Sequence, residues 1–128
     1  MGARLLLVED TPHGMQLMSY LLRAHDHLVT EAVTGEQAVA CAEAERPDLV
    51  VLDLQLPGID GYQTLAALRG AAGLTGVPVI AVTSFATVGD HDRALEAGFD
   101  HYLTKPIDPE TFVGELEAYL PPLSKDRG

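Results

Sequence analysis

Glu9, Asp10, Asp53, Thr83 and Lys105 are the residues whose types and spacing could do chemistry. Three sites follow a short apolar run, Leu5 to Val8 before Glu9-Asp10, Leu49 to Leu52 before Asp53 and Val77 to Val82 before Thr83, and Lys105 follows a fifth expected strand, Asp100 to Thr104. Four apolar residues in a row, with no polar alternation, read as a strand buried on both faces of a parallel sheet. In open α/β sheets, ligands bind in the crevice beyond the carboxyl ends of the strands. If the strands lie parallel and adjacent, the five side chains project into one such crevice. Three carboxylates packed together repel one another, so they need a cation or their pKa values rise. Oxygen-only donors select a hard cation, and a few carboxylates with waters suit Mg²⁺. A lysine and a hydroxyl at the same edge suit anionic oxygens. The combination fits phosphoryl transfer to an aspartate, with the cation and the lysine neutralising charge while a carboxylate attacks in line.

Taken singly, each residue has a plainer explanation. Asp53, before Pro57-Gly58, could cap a turn. Glu9 could be a solvated loop acid, Lys105 a surface lysine and Thr83 a strand-end hydroxyl bonded to backbone. Tyr102 could be a half-buried strand aromatic. The joint pattern is what argues for chemistry.

The elements that must position these residues alternate strand and helix five times. Thr11-Pro12 opens a helix over Pro12–Ala24, with Met15, Met18 and Leu22 at helical spacing. A second strand over Leu28–Val33 follows. Thr34 with Gln37 has the capping-box spacing and opens a helix to Glu45 that buries Ala38, Val39 and Ala42. Asp60 with Gln63 repeats the pattern before a third helix with Leu65 and Leu68 inward. Gly70 to Gly76 is a loop of small residues. Ala86–Ala97 is the least apolar helix, and Gly98 is its expected C-terminal cap. Asp108-Pro109 opens a last helix with Phe112, Val113, Leu116 and Leu120 on one face, stopped by Pro121-Pro122. The pattern predicts a doubly wound α/β fold with right-handed crossovers. One domain over residues 1–123 and a flexible tail over 124–128 are expected.

Composition narrows the function classes. A net charge of −11 argues against a nucleic-acid surface and for partners with basic patches. No apolar run reaches the length of a membrane span, so no membrane association is expected. A lone cysteine, Cys41, makes no internal disulfide, which fits a reducing cytoplasm. Cys41 reads as a small core residue, His13, His91 and His101 as exposed, and His25-Asp26-His27 as a surface turn.

The chain resembles the receiver domain of two-component response regulators over nearly its whole length. The resemblance is carried by Val8-Glu9-Asp10, Asp53-Leu54-Gln55-Leu56-Pro57-Gly58-Ile59-Asp60-Gly61, Ala81-Val82-Thr83-Ser84 and Gly98 through Pro106. It implies the flavodoxin-like strand order 2-1-3-4-5 in a three-layer sandwich. It implies Asp53 as phosphoacceptor, and Mg²⁺ held by Glu9, Asp10, Asp53 and the backbone carbonyl of Gln55. Glu9 replaces the aspartate often found first in the acidic pair, and its extra methylene makes a water-mediated contact with the metal the expectation. Lys105 would pair with Asp53 at rest and with the phosphoryl group afterwards. Thr83 would bond a phosphoryl oxygen, and Tyr102 would turn inward as the switch. Gln55 and Phe85 would tune phosphoryl lifetime, with the bulk of Phe85 slowing hydrolysis.

The implied partners are a sensor histidine kinase or a histidine phosphotransfer protein, and a downstream protein met through the fourth helix, fifth strand and fifth helix. A monomer or weak dimer is expected, with no chemistry beyond self-phosphorylation and self-dephosphorylation. The stretch Ala81 to Ala86 with Gly89-Asp90 is similar to single-domain cell-cycle and polarity regulators. Three alternatives stay open: an unphosphorylated receiver-like binding module, the N-terminal piece of a larger regulator, or an aspartate-nucleophile phosphohydrolase. The last usually wants a second acid two residues after the nucleophile, where this chain has Gln55. A flavin-binding protein fits less well, because Glu9-Asp10 would repel its phosphate.

Overall fold

The computed structural model describes residues 2–84 and 88–120. Its elements are β1 (Arg4–Val8), α1 (Pro12–Ala24), β2 (Leu28–Ala32), α2 (Gly35–Ala44), β3 (Leu49–Asp53), α3 (Gly61–Gly70), β4 (Val79–Thr83), α4 (Val88–Ala97), β5 (His101–Thr104) and α5 (Phe112–Glu117). All strand pairs are parallel, in the order β2-β1-β3-β4-β5. This is the expected doubly wound order.

Every residue of β3 and β4 is buried, whereas the edge strand β2 exposes Leu28 and Glu31. The period of two in a strand divides the apolar runs between two cores. Leu6, Val8, Val50, Leu52, Val79 and Ala81 pack against Ala38 and Ala42 of α2, Leu65 and Leu68 of α3 and Ala94 of α4. Leu5, Leu7, Leu49, Val51, Ile80 and Val82 pack against Met15, Met18 and Leu22 of α1 and Phe112, Val113 and Leu116 of α5. Each fully buried leucine contributes about 1.5–3 kcal/mol relative to exposure, so the central strands are the rigid platform of the molecule.

Register brings the strand ends level. Val8 lies opposite Leu52, Asp53 opposite Val82 and Thr83 opposite Thr104. The residues after β1, β3, β4 and β5 therefore open on one edge.

Several element ends differ from the sequence reading, each for a local reason. β4 starts at Val79 rather than Val77, because Pro78 has no N–H to give and the Val77 carbonyl is taken by Arg69. β5 starts at His101, while the Asp100 carboxylate accepts the Val79 N–H at 2.8 Å. β2 stops at Ala32. Val33 gives its N–H to the Gln37 side chain at 2.9 Å, so Gln37 closes on the residue before the cap and the expected Thr34–Gln37 box is only half made. Asp60 and Gln63 make the full box. α5 begins at Phe112, three residues after Pro109, because Asp108 folds a turn whose side chain accepts from Glu110 N–H. Gly98, at φ +112°, ends α4 as expected. The expected tail over 124–128 lies outside the described residues.

Candidate functional site

β1 and β3 deliver the acids. Asp53 closes β3 and is 2% exposed. Its Oδ1 accepts the Gln55 N–H at 2.8 Å, and its Oδ2 lies 3.0 Å from Lys105 Nζ. Glu9 follows β1 and is fully buried, so it is not a solvated loop acid. Its Oε2 accepts from Thr11 Oγ1 at 2.6 Å and Thr11 N at 3.1 Å. Its Oε1 lies 2.8 Å from Lys105 Nζ in an ion pair and has no aligned hydrogen-bond donor. Asp10 is exposed at the mouth of the crevice. One carboxylate oxygen from each of Glu9, Asp10 and Asp53 falls within 4.8 Å of the others.

Lys105 arrives from the end of β5, where its N–H donates to the Thr83 carbonyl at 2.8 Å and its bond to Pro106 is cis. The same contact fixes Thr83, buried at the end of β4, beside the crevice. Lys105 is thus shared between Glu9 and Asp53, where pairing with Asp53 alone was expected.

The charges settle unequally. Burial pushes the Asp53 carboxyl above its usual range, and the neighbouring Glu9 charge adds to this; the Gln55 N–H and Lys105 offset only part. Burial acts the same way on Glu9, but the contacts with Lys105 and Thr11 outweigh it and hold Glu9 below its usual value. Burial would lower Lys105, yet Glu9 and Asp53 raise it. Three carboxylates therefore face one ammonium, and an oxygen-seeking dication matches the remaining charge. The clustered carboxylate oxygens fit Mg²⁺. Glu9, Asp10 and Asp53 could hold it.

Tyr102 is half-buried on β5. Its ring stacks on His91 of α4, with centroids 5.0 Å apart and planes at 22°. Burial, followed by the Asp90 charge, raises its phenol pKa. Gln55 is half-buried beside Asp53, while Phe85 lies outside the described residues. A cavity of about 500 Å³ opens beside Lys105, lined in part by Thr11, His13, Gly14 and Ile107.

Some side chains behave otherwise than the sequence suggested. His27 is buried rather than on a surface turn: Ala3 N–H donates to Nδ1 at 3.0 Å, so Nε2 carries the proton given to Glu117 at 2.8 Å. His101 is half-buried and stacks on Tyr119. His13, His25 and His91 are exposed as expected, and Cys41 is half-buried against the core. Thr11 was legible only as the residue before a helix-opening proline; its grip on Glu9 had no sequence signal beyond proximity.

A five-stranded parallel sheet in this order, with three acids and a lysine at its carboxyl edge, defines a doubly wound α/β module with an acidic crevice. The chain belongs to the response regulator receiver domain family, whose model matches residues 5–117. It is 37% identical over 118 residues to protein PilH of Pseudomonas aeruginosa, covering 92% of this chain and 98% of that one. It is 34% identical over 120 residues to the polar-differentiation response regulator DivK of Brucella anthropi, covering 94% and 98%. Among solved structures it superposes on the Vibrio cholerae chemotaxis protein CheY4 with a TM-score of 0.88 at 26% identity, covering 94% of this chain and all of that one. The receiver domain of the Pseudomonas aeruginosa sensor histidine kinase PA1611 gives 0.82 at 35% identity, with coverage of 93% and 98%. That structure holds a magnesium ion in its active-site cleft.

Proposed function

We propose that this receiver domain is phosphorylated on Asp53 and passes the signal on through protein contacts. The observation that carries the proposal is Asp53 itself. It is buried, held by the Gln55 N–H on one oxygen and by Lys105 on the other, and set among the oxygens of Glu9 and Asp10. Mg²⁺, when bound, would neutralise the acids and the incoming phosphoryl oxygens. Glu9, Asp10, Asp53 and the Gln55 backbone carbonyl would hold it; the magnesium ion in the active-site cleft of the PA1611 receiver supports a cation at this place.

The Asp53 carboxylate attacks phosphorus. An acyl phosphate bond forms at Asp53, and the bond from phosphorus to the donor breaks with its electron pair leaving on the donor. A histidine kinase or histidine phosphotransfer protein is the donor class. Lys105 exchanges its contact with the carboxylate for one with the phosphoryl group, and Thr83 bonds another phosphoryl oxygen. Tyr102 turns inward, giving up its stack on His91. Water attack at phosphorus breaks its bond to the Asp53 oxygen, releases inorganic phosphate and restores the carboxylate, and no other substrate is turned over.

The output face is α4, β5 and α5. Phosphorylation shifts its conformation only by interacting differently with the two states. α4 is suited to such a shift: among its described side chains, Ala94 alone is buried. The likeness to PilH and DivK over 98% of their lengths supports a stand-alone regulator. It would work by protein contacts in the cytoplasm, as a monomer or weak dimer. Its acidic surface supports neither a nucleic-acid nor a membrane partner.

The test is intact mass after incubation with Mg²⁺ and acetyl phosphate. One phosphoryl adduct is expected, absent without Mg²⁺ and absent in Asp53→Ala. No adduct from acetyl phosphate or from a panel of histidine kinases would establish an unphosphorylated binding module instead.

A further inference from the structure

Glu9 is one methylene longer than an aspartate, yet it is completely buried beside a second buried acid. Something must fix the direction of its carboxylate. Thr11 does so with two donors on one oxygen, its hydroxyl at 2.6 Å and its N–H at 3.1 Å, both to Oε2. The hydroxyl cannot easily turn away, because its lone pair accepts the Gly14 N–H at 3.3 Å, leaving its single proton for Glu9. Thr11 is itself held in extended geometry, φ −87° and ψ 130°, which the following Pro12 favours. The room for this arrangement comes from Gly14. A Cβ there would sit 2.7 Å from Thr11 Oγ1, 3.1 Å from the Glu9 carboxyl carbon and 3.3 Å from Oε1. With Oε2 committed, Oε1 is the oxygen presented to the crevice, where it meets Lys105 and lacks an aligned donor.

We propose that Thr11 and Gly14 are positioning residues for the cation site, a matched pair that makes a glutamate usable at position 9. This rests on the reading of the crevice as an Mg²⁺ site. Thr11 touches neither the cation nor the phosphoryl group. It acts by holding one carboxylate oxygen so that the other is aimed. An aspartate at position 9 is too short to bridge the Thr11 donors and the crevice together, so it would not depend on either residue.

The experiment is calorimetric titration of Mg²⁺ into the full chain, with thermal melting in chelator beside it. Thr11→Val keeps the shape of the side chain and removes the hydroxyl; it is expected to weaken Mg²⁺ about tenfold, the size typical of lost outer-shell partners. Thr11→Ser restores the hydroxyl and should bind within about twofold of the wild type. Gly14→Ala should weaken binding as Thr11→Val does. In a Glu9→Asp background, both Thr11→Val and Gly14→Ala should change the dissociation constant by less than about twofold.

Thr11 also caps α1, so loss of melting temperature is expected in both backgrounds; that loss reports the cap, while the metal affinity reports the positioning. A Thr11→Val protein binding within about fivefold of wild type, or an equal loss in the wild-type and Glu9→Asp backgrounds, overturns the inference while leaving the Mg²⁺ site standing. A wild-type protein that binds no Mg²⁺ removes the site and the inference together.

Discussion

Replacing Asp53 with asparagine should stabilise the metal-free fold. Glu9 and Asp53 present oxygens within 4.8 Å of each other, and at an effective dielectric of about 20 two such charges repel by about 3.5 kcal/mol. Lys105, 3.0 Å from Asp53, returns about 5.5 kcal/mol at the same dielectric. The exposed Asp10 adds a smaller, screened repulsion. What is left of the attraction must offset the burial of a charge, which costs several kcal/mol. The raised pKa of Asp53 shows that burial and repulsion win.

Asparagine removes both, keeps an oxygen for the Gln55 N–H, and leaves Lys105 its contact with Glu9 at 2.8 Å. The expected gain is about 1–2 kcal/mol after the lost Lys105 contact is counted, or roughly 3–8 °C in Tm for a domain of this size. The sign with pH follows. A carboxyl whose folded pKa lies above its ordinary 3.8 contributes most when protonated, and that contribution is lost as pH rises through the folded value. The gap between Asp53→Asn and wild type should therefore be widest near neutrality and narrow as pH falls through the raised folded value toward the ordinary 3.8. Glu9, lowered from 4.5, has the opposite dependence, but it is present in both proteins and cancels to first order.

Thermal melting in chelator, with and without added Mg²⁺, reads all of this. At about ten times its dissociation constant, Mg²⁺ should restore about 1.4 kcal/mol to the wild type and less to the variant, which has lost a ligand. A variant that melts at or below the wild type in chelator at neutral pH would refute the reasoning, as would a gap that widens on acidification.

Two further outcomes follow from particular residues. Gly61→Ala should lose about 2–3 kcal/mol in urea unfolding, because its Cβ would sit 2.6 Å from Leu54 Cα and 2.9 Å from the Asp53 carbonyl, where only backbone can yield; a midpoint unchanged from wild type would contradict this. Phe85→Glu should shorten the lifetime of phosphorylated Asp53, because an acidic side chain admits the hydrolytic water that a large apolar one restricts, and decay no faster than wild type would refute it.

What could be seen in the sequence was what short-range rules govern. α1 spans Pro12–Ala24 as expected because Thr11, Pro12 and the apolar spacing all act within one turn of their targets. The doubly wound class and the convergence of Glu9, Asp10, Asp53, Thr83 and Lys105 followed from strands that end in polar residues, and the sheet order from the resemblance to receiver domains. What escaped depended on partners distant in the chain or on side chains competing with backbone. His27 looked like part of a surface turn because its acceptor, Glu117, lies 90 residues away. The start of α5 was placed too early because the Asp108 carboxylate satisfies the Glu110 N–H and closes a turn before the helix. The burial of Glu9 was unforeseen because a carboxylate there needs Lys105 from the far edge strand, and pairing between separate strand ends leaves no local spacing to read.

The way Lys105 is divided bears on the switch itself. Its ammonium lies 2.8 Å from Glu9 and 3.0 Å from Asp53, so neither contact can strengthen without the lysine turning from the other. Glu9 is held low and Asp53 high, which makes Glu9 the firmer anion of the two. On the proposed reading, a cation that neutralised Glu9 would release Lys105 toward Asp53, and a phosphoryl group would then complete the transfer. Thr83 accepts the Lys105 N–H through its carbonyl at 2.8 Å, so a displacement of the lysine backbone would be felt directly at the end of β4. From there the connected elements are β5, with Tyr102 stacked on His91 of α4, and α4, with Arg93 resting 4.6 Å over the Tyr62 ring of α3. Those are aromatic and cation contacts near the surface, around a helix with one buried described side chain. Contacts of that kind are worth about 0.5–1 kcal/mol each, small enough for a rearrangement at the crevice to overcome.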